Sequence, residues 1–88
     1  MSLEEALSML DKFRGRVDKK VLEKVLNDLL DEYYRSKSVK EAVIVAYAEN
    51  STIVKENREL FNAVARALEV LSSKLGVPEA ISVILSYI

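Results

Sequence analysis

Cysteine, histidine, tryptophan and glutamine are all missing from this chain of 88 residues, proline occurs once and glycine twice. Without cysteine there is no disulfide and no thiolate chemistry. Without histidine the chain loses the commonest general base, the commonest metal ligand and the usual switch near neutral pH. A Ser-His-Asp nucleophile is therefore excluded. The two glycines, Gly15 and Gly76, stand too far apart for a phosphate-cradling loop. No apolar run approaches the roughly 20 residues that a membrane-spanning helix needs. The opening Met1-Ser2-Leu3-Glu4-Glu5 has no basic leader, so no signal peptide is expected and the cytoplasm is the default location. These absences predict a protein that is not an enzyme, with no cofactor, no metal, no membrane attachment and no small-molecule substrate.

What is present suits a small folded domain. Half the residues are hydrophobic and 31% are charged, with 13 basic and 14 acidic side chains and a net charge of −1. That balance argues against a disordered tail and against a polycation. A single domain is expected over 1–88, burying roughly 60% of the surface its unfolded chain exposes. The bias toward Lys, Glu, Ile and Val is thermophile-like.

The helix punctuation is clear. Ser2 and Glu5 form a capping box, and Leu3, Ala6, Leu7, Leu10 and Phe13 then repeat at helical spacing until Gly15. Asp18 caps a second helix over about 19–35. It has two adjacent apolar rows: Val21, Val25, Leu29 and Tyr33 beside Leu22, Leu26, Leu30 and Tyr34. Ser38 and Glu41 predict another capping box and a third helix over 39–49. Its uncharged run Ala42–Ala48 reads as central to the fold. The same region, 43–54, also allows a β-hairpin reading. A fourth helix is predicted over about 53–75, ended by Gly76 with Val77 folding back in a Schellman turn. Pro78 suits the first turn of a fifth helix reaching Ile88. The expectation is an all-α fold, a compact bundle of four or five helices.

Four places could carry function. Asp28 and Glu32 lie one turn apart and could hold a cation or do acid–base work, although a solvated helix face explains them as well. A basic elbow, Lys12, Arg14, Arg16, Lys19 and Lys20, with Lys24 a turn later, could neutralise phosphates of a nucleic acid. Lys19 and Lys20 at the start of the second helix, with Asp28, Asp31 and Glu32 toward its end, oppose the helix dipole at about 0.3–1 kcal/mol per exposed charge. Third, the last helix has Glu79 as its only charge, so it is either core all round or leaves a face near Ile84, Tyr87 and Ile88 for a partner. Tyr33 and Tyr34 could rim an interface.

In length and composition the chain resembles the small helical proteins of thermophilic crenarchaea. Among these are small all-helical accessory subunits of the replicative B-family DNA polymerase. No motif carries that resemblance, so it transfers no residue role; it implies a DNA-associated accessory subunit. The residues themselves point first to a non-enzymatic protein–protein interaction module or small subunit with a protein partner or a second copy. A nucleic-acid-associated protein using the elbow is the alternative.

Overall fold

The fold begins with local caps. Ser2 Oγ accepts from the Glu5 N–H at 3.1 Å, and the Glu5 carboxylate accepts from the Ser2 N–H at 3.1 Å, so both halves of the first capping box form. Asp18 accepts from the Lys20 N–H at 3.0 Å. Ser38 accepts from the Glu41 N–H at 3.2 Å. The return half of that second box is absent, because the Ser38 N–H donates to Ser36 Oγ instead.

A computed structural model describes residues 1–88. Six α-helices follow: α1 (Leu3–Ser8), α2 (Lys19–Ser36), α3 (Val39–Glu49), α4 (Ser51–Glu56), α5 (Arg58–Leu75) and α6 (Val77–Tyr87), with a 3-10 turn at Asp11–Phe13. Helices take 83% of the chain and there is no strand, so residues 43–54 are not a hairpin. The radius of gyration is 11.7 Å, against about 12 Å for a compact chain of this length.

The count of six exceeds the four or five read from periodicity because the expected fourth helix is divided at Asn57, and a second break shortens the first helix without adding to the count. The first helix stops at Ser8, and the chain tightens into i to i+3 bonds at Leu10, Phe13 and Arg14. Leu7, Leu10 and Phe13 are spaced by three, which suits a 3-10 turn as well as an α-helix. Gly15 then turns the chain at φ +72°. The predicted fourth helix breaks at Asn57 into α4 and α5. Asn57 has φ −128° and ψ 43°, and its side-chain amide donates to the Ile53 carbonyl at 2.9 Å, competing with the backbone ladder.

Eighteen apolar side chains make one core. Helix α2 packs most extensively on α3, and α5 on α6; α1 lies on α5, and α2 also meets α6. Ala42 and Ala46, both fully buried, let α3 approach α2 closely. Helix α3 is not central, however. Those alanines are its only buried residues, while Ile44 on the opposite side is 57% exposed. An uncharged sequence allowed burial without requiring it. Phe61 fills the middle, with the Tyr47 ring edge-on at 5.5 Å and its hydroxyl donating to the Phe61 carbonyl at 2.7 Å.

The corner between α5 and α6 departs from a Schellman turn. Gly76 adopts φ 84° and ψ 162°, not the left-handed helical region, and serves both helices: its N–H donates to Ser72 and its carbonyl accepts from Ala80. Only glycine occupies that region without strain. A Cβ there would touch nothing, so the penalty is purely conformational. Gly76→Ala is expected to destabilise the fold by about 1–3 kcal/mol in urea denaturation; an unchanged midpoint would contradict this conformation.

Candidate functional site

Two residues of the basic elbow, Lys12 and Arg14, contact the protein's own side chains. Lys12 Nζ lies 3.4 Å from Glu59 on α5. The Arg14 guanidinium stacks over the Tyr87 ring at 4.6 Å. The Tyr87 hydroxyl donates to the Asp11 carboxylate, and the Gly15 N–H donates to the Ile88 carbonyl at 3.4 Å. The elbow and the end of α6, separate candidates in the sequence, therefore clamp each other. The hydrogen bond to Asp11, with burial second, holds the Tyr87 hydroxyl above its ordinary pKa. Arg16, Lys19 and Lys20 stay exposed and make no ion pair.

The apolar candidates divide. Ile84 is fully buried, which corrects its reading as interface. Its position on α6 faces the core beside Ala80 and Ile81, because α6 is covered on one side by α5 and on another by α2. Tyr87 and Ile88 are half-buried against the core. Tyr33 is half-buried, while Tyr34 is 54% exposed with Lys37 over its ring at 6.0 Å. Sequence reasoning missed Ile44, which sits in a shallow groove with Val39, Lys40, Val43, Ala65 and Glu69. A helical wheel held the signal, since Ile44 lies two residues from both Ala42 and Ala46 and so on the other face.

The densest polar arrangement is elsewhere, where Lys24 and Asp28 of α2 meet Asn50. Asn50 ends α3 and begins α4 at φ −116° and ψ 35°. Its side chain is buried, at 5% exposure. Its amide nitrogen donates to the Ala46 carbonyl at 2.8 Å and to Asp28 Oδ2 at 3.0 Å. Its amide oxygen accepts from Lys24 Nζ at 2.9 Å, and the same ammonium lies 3.0 Å from Asp28 Oδ2. Flipping the amide would set its nitrogen against the ammonium and its oxygen against two acceptors, so the neighbours fix its orientation. The hydrogen bond from Asn50, then that from Lys24, holds the Asp28 carboxyl below its ordinary value of 3.8.

This arrangement separates the two carboxylates that the sequence paired. Asp28 turns to Asn50 and Lys24, while Glu32 is nearly buried and pairs with Arg35 at 2.9 Å. It also withdraws Lys24 from the elbow. The reversed charge polarity of α2 is offset in part by Arg35, which stands in its last turn and pairs with Glu32. Chemically, Asp28 and Asn50 present two hard oxygens that already hold a cationic group between them. No three acidic side chains converge anywhere.

Asn50→Ala leaves the Ala46 carbonyl its backbone donor but removes the side-chain bonds to the charged groups of Asp28 and Lys24, and should destabilise by about 1–3 kcal/mol. Asn57→Ala, at an exposed kink, should stay within about 0.5 kcal/mol. Equal losses in the two variants would show that burial of the Asn50 amide is unimportant. Acid should also act through Asp28. Its folded form binds a proton more weakly than its unfolded form, so its contribution is complete above the ordinary value of 3.8 and is lost as pH falls through the depressed value. Asp28→Asn should flatten that part of the stability profile in acid; an identical acid limb in the variant would contradict the assignment.

No curated protein and no solved structure matches the chain. One family does, described as Calcium binding protein SSO6904, and its match runs over residues 1–88. The whole length of this chain belongs to that family.

Proposed function

We propose that this protein is a non-enzymatic calcium-binding module and that its cation contacts are the oxygens of Asp28 and Asn50. Membership of the family over the full chain supports the metal. The observation that carries the location is the Lys24 ammonium, seated 3.0 Å from Asp28 Oδ2 and 2.9 Å from Asn50 Oδ1. That position already suits positive charge.

The donor chemistry fits calcium, which takes oxygen ligands and favours carboxylates and amide carbonyls. Asp28 keeps its charge to lower pH than an ordinary aspartate, and Asn50 holds its oxygen still. The donor number is small. Calcium takes six to eight oxygens, and no three acidic groups gather here. Water would complete most of the shell, which implies weak binding, at about 10⁻⁴–10⁻³ M or weaker. The reading adds a metal to a chain whose lack of histidine and cysteine argued for none. Calcium needs neither residue.

Titration of the protein with calcium, followed by amide NMR and calorimetry, tests this. Weak saturable uptake is expected, with shifts centred on Lys24, Asp28 and Asn50. Asp28→Asn should weaken it by about tenfold or more, since it removes the only carboxylate of the pair. Absence of uptake at about 10 mM calcium, or shifts centred elsewhere with Asp28→Asn unchanged, would overturn the proposal.

A further inference from the structure

Resting on the calcium reading above, we infer that Lys24 is a tethered competitor that occupies the cation position of this protein and so sets its affinity for calcium. The ammonium is not a bystander on the helix surface. It bridges two oxygens from different elements, Asp28 Oδ2 on α2 and Asn50 Oδ1 at the α3–α4 junction.

Local helix preference does not explain the choice of residue. Lys24 and Asp28 are an i, i+4 pair with the base placed first, which is the weaker order for a helix. The reverse order would also suit the dipole better. What the lysine satisfies is the fixed oxygen of Asn50. The amide nitrogen is already committed to Ala46 and Asp28, so the oxygen can only accept and must face a donor or a cation.

The charge at the position follows directly. With Lys24 in place the Asp28 carboxylate is neutralised, and an arriving calcium ion meets no net attraction. With the ammonium gone the same two oxygens carry one negative charge. Because the lysine is attached to the helix it competes at a high effective concentration that dilution cannot lower. Its side chain is 61% exposed, so the ammonium has water to leave into when an ion displaces it. The same exposure means that replacing it disturbs no core packing.

A graded series at this one position tests the inference by calorimetry and by the shift of the Asn50 side-chain amide, with melting curves to verify folding. Lys24→Gln removes the competitor and should tighten calcium binding by about tenfold. Lys24→Glu adds a second carboxylate and should tighten it further. The Asn50 amide signal should respond to calcium at lower concentration in each variant than in the natural chain. A natural chain that binds calcium with an affinity unmoved or weakened in both variants overturns the role of Lys24 and leaves the calcium reading intact. Uptake by both variants but not by the natural chain supports Lys24 as a plug and overturns calcium binding by the natural chain. Folded variants that take up no calcium overturn the assignment of the position itself.

Discussion

A buried amide must have its hydrogen bonds met inside the protein, and Asn50 organises this fold around that requirement. Its nitrogen needs two acceptors and finds them in the Ala46 carbonyl and Asp28. At the end of α3 the Ala46 carbonyl accepts from both this side-chain amide and the Asn50 backbone N–H. Reaching Asp28 draws α2 against the α3–α4 corner. Its oxygen then needs a donor, and Lys24 supplies one. One polar side chain thus links the end of α3 to α2 and to a charged pair. No buried side-chain polar atom is left without a partner. Losing such a partner costs more than an ordinary hydrogen bond contributes, which is why the arrangement tolerates little variation.

The apolar scaffold holds the polar node rather than competing with it. Ala42 and Ala46 bring the α3 backbone close to α2, so that residues 28 and 50, 22 apart in sequence, come within hydrogen-bond reach. Larger side chains in that seam would hold the helices farther apart. On the other side of α3, Tyr47 presses edge-on against Phe61 and bonds its carbonyl, which joins the same helix to α5. Burial raises the Tyr47 hydroxyl well above its ordinary pKa, so it remains a neutral donor at any physiological pH. Helix α3 is therefore held along two of its faces, and its third face, with Ile44, meets solvent.

The ion pairs of this protein are few and lie mostly at its surface. The basic elbow reads in the sequence as a patch for a polyanion, yet Arg14 stacks on Tyr87, Lys12 reaches Glu59 and Lys24 belongs to the node. Glu59, Tyr87 and Asn50 come from distant stretches of the chain, while Asp28 lies one turn from Lys24 on the same helix. The elbow thereby fastens the start of the fold to its end, and Asp11 and Gly15 add two further ties to α6. In a domain of this size, where the core is small, such closures between the termini matter more than their individual strengths suggest.

The sequence by itself determined the helical class, the starts of α1, α2 and α3 and the ends of α2 and α5 to within a residue or so. Caps and periodicity are local, and Ser2, Asp18, Ser38 and Gly76 act on neighbours a few residues away. It did not determine the breaks at Ser8 and Asn57, because spacing by three serves both helix types and because an asparagine inside a helix pattern can either bond its own backbone or face water. Of the candidate site, the sequence offered Asp28 as a cation ligand but paired it with Glu32, the residue one turn on. Tertiary structure gave it Asn50 instead, assigned Lys24 to the same oxygens, and buried Ile84 while exposing Ile44. Those outcomes depend on which face of each helix meets another helix, and that is fixed by packing between segments far apart in the chain, which no local pattern records.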